Sequence, residues 1–146
     1  MNEQNILDME KNGYKYIIGA KIKNESNVIK QWILEQKKID RKMHEYDKGN
    51  GRRLLVGYTS ERAKKDAYNR EKGIRRLEKS YKRGKLTKDS INKRGYNKFL
   101  DMKNEVEVTI NYEKIAEDTA WDGLKGYLTN TKLSTDKIYE AYHNLW

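Results

Sequence analysis

The sequence predicts a mixed α/β fold of α+β character, on three observations. Short runs rich in β-formers, such as Tyr14-Lys15-Tyr16-Ile17-Ile18 and Leu54-Leu55-Val56, alternate with stretches whose apolar residues recur at helical spacing. Proline is absent from all 146 residues, so no helix is broken that way. Eleven Tyr and three Trp add apolar area to a chain that is only 36% hydrophobic and 37% charged, which argues against disorder. The length suits one domain with a modest core.

In chain order, a helix is expected over 5–11, with Ile6, Leu7 and Met9 turned partly inward and Asn12-Gly13 as its stop. A strand follows over 14–20, then a helix over 25–39 with Val28, Ile29, Trp32, Ile33 and Gln36 on one face. Tyr46-Asp47-Lys48-Gly49-Asn50-Gly51 reads as a flexible turn leading into a strand over 52–59. Ser60 is placed to cap a long helix to residue 83, whose inward stripe is Ala63, Ala67, Ile74, Leu77 and Tyr81, with Gly84 as its end. The basic stretch 85–97 has no clear period, and Gly95 breaks it. Apolar residues at every second position, Val106, Val108, Ile110 and Tyr112, make 106–112 the clearest strand, followed by a helical turn over 113–119. Asp122-Gly123 favours a turn before a strand over 124–129, and Ser134 caps a last helix over 135–146 that faces Ile138, Tyr142 or Ala141, and Leu145 inward. The strands near 14–20, 52–59, 106–112 and 121–129 are expected to share one small sheet.

The net charge of +10 is concentrated. Residues 61–98 hold 15 Lys or Arg against 5 Asp or Glu, which accounts for the whole excess. A block of this kind can neutralise phosphates and release their counterions, the sequence-independent part of nucleic-acid affinity. The competing reading is a solvated helix from a lysine-rich proteome, since Lys outnumbers Arg by 23 to 9. No apolar run approaches the roughly 20 residues of a membrane span. The absence of Cys excludes disulfides and the common structural zinc sites. Met1-Asn2-Glu3-Gln4 lacks the basic and apolar regions of a secretory leader, so a cytoplasmic location is expected.

Constellations for catalysis are weak. His44 and His143 sit in unrelated contexts, and the glycines at 49 and 51 precede a strand and lack a phosphate-loop Lys. Two-metal phosphoryl transfer needs converging carboxylates. Asp122 is the one candidate by position, and the chemistry of an Asp-Gly turn accounts for it more simply. Asp66 and Glu71 read as intrahelical partners of Arg70 and Arg75.

Several segments in order resemble bacterial insertion-sequence DDE transposases, the group with a strand-rich insertion in a ribonuclease-H-like core and a Tyr-Arg-Glu-Lys signature. Asn5 to Ala20 looks like the segment after that family's second catalytic Asp. Leu54 to Lys72 looks like its strand and Ser60, Arg62-Ala63-Lys64-Lys65-Asp66, Arg70-Glu71-Lys72 helix. Trp121-Asp122-Gly123 with Thr129-Asn130 looks like the strand returning from the insertion, and Tyr142 to Trp146 is similar to the start of the signature. Leu145 stands where the signature's Arg is expected.

The resemblance implies that 1–45 is part of the core, 46–130 the insertion with its basic helix, and 131–146 a returning, truncated core helix. It implies a parent that cleaves DNA and transfers strands with Mg²⁺, as a homodimer at full length. Both catalytic aspartates would lie before Met1 and the glutamate just beyond Trp146. This chain is therefore expected to have no catalytic residue, no metal ligand and no cofactor, and to be inactive alone. DNA is the expected partner, with neither a membrane nor a small-molecule substrate. The expected DNA-contacting residues are Arg62, Lys64, Lys65, Arg75, Arg76, Lys79, Lys82 and Arg83, with Tyr142 from the signature. The other readings are a stand-alone basic nucleic-acid-binding module and a remnant without function.

Overall fold

The computed structural model describes residues 2–92 and 94–143, the side chains of Tyr142 and His143 excepted. It has five α-helices and two antiparallel sheets, a mixed α and β architecture. The chain divides into two compact units, Met1–Ser60 with Gly123–Trp146, and Glu61–Asp122.

The first unit is built on a four-stranded sheet of β1 (Ile17–Ala20), β2 (Lys42–Gly49), β3 (Arg52–Tyr58) and β6 (Leu124–Thr129), in the order β1-β6-β3-β2. Its register pairs Leu55 with Tyr127 and Glu45, and Leu54 with Leu128 and Tyr46. Because side chains alternate across a strand, these pairs belong to opposite faces. Leu54, Leu55 and Val56 are all buried, so the central strand is covered on both faces. On one face Ile138 of α5 (Thr135–His143) packs with Met43, Leu55 and Tyr127. On the other, Trp32 of α2 (Asn27–Glu35) meets the Tyr46 ring edge-on at 5.1 Å. Helix α1 (Glu3–Lys11), capped by Asn2, reaches this same face, where Glu10 accepts three bonds from the Arg52 guanidinium.

The second unit carries most of helix α3 (Ser60–Lys82), a two-stranded sheet of β4 (Leu100–Met102) and β5 (Val108–Ile110), and helix α4 (Tyr112–Thr119). Its core is Leu77, Phe99, Leu100, Val108 and Ile110.

Several expectations are corrected. Residues 106–112 do not join the main sheet: only Val108–Ile110 is strand, and it pairs with Leu100–Met102 in a sheet of its own. Val106 is exposed, and Asn111 caps α4, so Tyr112 is already helical. The supposed flexible turn at 46–51 is mostly strand β2. The reversal itself is confined to Gly49-Asn50-Gly51, all three at positive φ. Helix α2 is shorter than 25–39, and Val28 points to solvent. Residues 144–146 of the expected last helix lie outside the described residues.

Candidate nucleic-acid interface

Helix α3 begins differently from its expected cap. Ser60 is its first residue, and both its amide and its hydroxyl donate to the Asp40 carboxylate, at 2.9 and 3.2 Å. That satisfies a free amide at the helix start and places negative charge at the positive end of the dipole. The other end is closed by Gly84 at φ 64°. Gly84 N–H bonds the Tyr81 carbonyl and Lys85 N–H bonds the Ser80 carbonyl, the paired closure for which glycine is favoured. Between them lie 23 residues, a rod of about 33 Å at 1.5 Å per residue.

The inward side of this rod is Arg70, Gly73 and Leu77, with Ala63, Ala67 and Ile74 half-buried beside them. Tyr81, expected on that stripe, is 47% exposed. Gly73 is there because the Tyr96 ring lies against its backbone, and a Cβ would overlap the ring. Arg70 turns away from solvent and donates to both carboxylate oxygens of Asp122, at 2.5 and 2.8 Å. The hydrogen bonds to Asp122, ahead of the opposing cost of burial, hold the guanidinium pKa still higher than usual. Asp122 therefore does more than turn the chain, and both its oxygens are occupied by Arg70. The Arg70 partner foreseen four residues away is replaced by one 52 residues on, whereas the Glu71–Arg75 pair forms as foreseen at 2.6 Å.

The outward side carries the charge. Lys64, Lys65, Arg75, Arg76, Lys79, Lys82 and Arg83 are all exposed. Lys72, which the sequence reading left out, joins them. At about 100° per residue these eight cations fall within roughly 120° of arc opposite Arg70 and Leu77. Arg62 is half-buried and engaged within the protein, so it stands apart from this set. The side chain of Tyr142 lies outside the described residues.

The remaining sequence landmarks have structural work. Gly123, at φ 82°, fits beneath the Tyr58 ring and the Thr59 carbonyl, and its own carbonyl accepts the Thr59 amide at 3.1 Å. Asn130 extends the β1–β6 pairing with its side chain: its Oδ1 accepts from Tyr16 N–H and its Nδ2 donates to the Tyr14 carbonyl, each at 2.9 Å. Thr129 Oγ1 donates to the Tyr16 carbonyl at 2.6 Å. Within the second unit an open cleft of about 620 Å³ is lined by Phe99, Trp121, Lys98, Asp118, Lys114 and Asp101 among others. Four of its charges pair, Lys98 with Asp118 at 3.2 Å and Lys114 with Asp101 at 2.9 Å, and Glu117 adds a fifth. Among the described residues no three His, Asp or Glu side chains gather as a metal site, and no helix is long and apolar enough to cross a membrane.

No family model, no curated protein and no solved structure matches the chain.

Proposed function

We propose that this chain is a piece of a DDE transposase, whose parent moves DNA by cleavage and strand transfer, and that the piece itself binds DNA without sequence preference through α3. The single observation carrying the binding reading is the exposed arc of eight cations on one helix, whose opposite side is anchored by Arg70 and Leu77. Side chains on a rigid rod can reach several phosphates together, and each phosphate neutralised releases counterions. Phosphate contacts carry no sequence information, so affinity through this arc should follow charge and not base sequence. In this reading β1 with α1 and α2 is the close of a ribonuclease-H-like core, and β2 to β6 with α3 is its insertion. The ordered transposase-like segments support that origin.

The test of binding is fluorescence anisotropy with a mixed-sequence 20-base-pair duplex across a salt series. Affinity should fall steeply and log-linearly with salt, alike for unrelated duplexes. The variant Lys64→Glu/Arg75→Glu/Lys79→Glu/Lys82→Glu should lose binding while keeping its helical circular dichroism. A parent that ignores DNA at 50 mM salt, or a reversed variant that binds as tightly as the parent, refutes the proposal. The origin is tested separately by the surrounding genome, which should encode upstream Asp-bearing strands and a downstream Glu in frame or frameshifted.

A further inference from the structure

The cations of α3 are not equivalent, because over residues 71–83 carboxylates share only one flank of the helix. Lys72, Arg76, Lys79 and Arg83 follow one another at steps of four, three and four residues, and all are exposed. Arg83 N–H still bonds the Lys79 carbonyl at 3.1 Å, so the last rung keeps helical placement. Residues at these spacings are neighbours on a helix surface. Each rung therefore has another cation beside it and no carboxylate three or four residues away. None of the four makes an ion pair among the described residues, and the one aromatic near them is Tyr68, 6.0 Å from the Lys72 ammonium. The adjacent flank is composed oppositely. Glu71 holds Arg75 at 2.6 Å, and Glu78 precedes Lys82 by four residues, the favourable order for such a pair. One row carries four positive charges and the other balances to zero.

Like charges at these spacings repel and work against the helix, so the ladder is a local conflict that a polyanion would relieve. It extends about 16 Å, from eleven steps of 1.5 Å between Lys72 and Arg83. It has no Leu, Ile, Phe or Trp among its rungs, which disfavours a membrane surface, where an amphipathic helix buries an apolar face. It has one flanking aromatic, not the succession of stacking platforms that single strands use. We infer that duplex DNA docks on one side of α3, with a single phosphate strand along Lys72, Arg76, Lys79 and Arg83, and with the Glu71–Arg75–Glu78–Lys82 row turned away. This rests on the DNA-binding reading and refines it from a charged arc to one row.

The experiment compares two variants of equal charge in the full chain: Lys72→Gln/Arg76→Gln/Arg83→Gln, which breaks the ladder, and Lys64→Gln/Arg75→Gln/Lys82→Gln on the other flank. Each removes three cations and spares Arg70, Gly73 and Leu77. With the same duplex, the ladder variant should bind at least about tenfold more weakly than the flank variant. Its salt slope should fall by about 2.7, from roughly 0.9 per phosphate contact. On the unaltered chain, bound duplex should protect Lys72 and Lys79 from acetylation and leave Lys64 and Lys82 reactive. Equal losses in the two variants with equal protection of the four lysines overturn the inference while leaving DNA binding intact. An unaltered chain that binds phosphatidylserine vesicles and no duplex overturns both.

Discussion

The pair formed by Arg70 and Asp122 ties helix α3 to the turn at the end of the second unit, and its removal gives a sharp stability prediction. Arg70 is 8% exposed, and the carboxylates it faces, Asp122 and Asp118, have side chains 17% and 16% exposed. Arg70→Met keeps most of the buried stem but strands Asp122 beside Asp118, with Lys98 at 3.2 Å from Asp118 as the nearby cation. Removing one partner of a buried pair costs about 3–5 kcal/mol, and the residual solvent access here places the loss near ~3 kcal/mol. Asp122→Asn keeps the shape, retains one acceptor for Arg70 and leaves Asp118 at 3.8 Å, so ~1–2 kcal/mol is expected. The double variant has no stranded charge, and its loss should fall short of the sum of the single losses by ~2 kcal/mol. Urea unfolding followed by tryptophan fluorescence and far-ultraviolet circular dichroism reads all four species. A coupling below ~0.5 kcal/mol, the size of an exposed ion pair, would refute the claim that this interaction anchors the helix.

Three further predictions concern packing and pH. Gly73→Ala should destabilise the protein by ~1–3 kcal/mol in urea, because the Tyr96 ring must move bodily, although alanine by itself favours a helix by ~1 kcal/mol. Burial, followed by the bond to Glu10, pushes the Tyr16 hydroxyl up to about 12. Its raised folded pKa means that its contribution is complete below the unfolded tyrosine value near ~10 and is lost as pH rises toward about 12. Absorbance titration should therefore show a tyrosine ionising at about 12 that Tyr16→Phe removes. Hydrogen bonds to Asp101, from Lys114 first and then Asn111, hold its carboxyl below the ordinary range. A depressed folded pKa gives stability that is present above the unfolded carboxylate value and lost as pH falls through the folded one, so Asp101→Asn should flatten the acid end of the stability profile.

Much of the fold was legible where local chemistry decides it. The runs Leu54-Leu55-Val56 and Leu124 to Thr129, the Ser134 start of α5 and the Gly84 stop of α3 each carry their signal in adjacent residues, and each stands as expected. Strand β2 was hidden because it is an edge strand with only Met43 buried, so its sequence Lys-Met-His-Glu-Tyr-Asp-Lys-Gly reads as a polar loop. Strand β4 has three residues, too few for a period. In 106–112 the alternation was real, but Asn111 offered a cap that converted its last residue to helix. Of the candidate interface, the exposed basic arc was legible from helical spacing. Two things were not: Arg70's inward turn needs a partner 52 residues away, and Lys72 fell outside the selected set although it completes a ladder visible at steps of three and four.

The most direct measurement is a nuclear magnetic resonance titration of the full, uniformly labelled chain with a mixed-sequence duplex at low salt. The largest shifts should fall on Lys72, Arg76, Lys79 and Arg83, fade together as salt is raised, and look alike for unrelated duplexes. Shifts centred on the four-stranded sheet, or on Arg75 and Lys82 in preference to Lys72 and Arg76, would contradict the account.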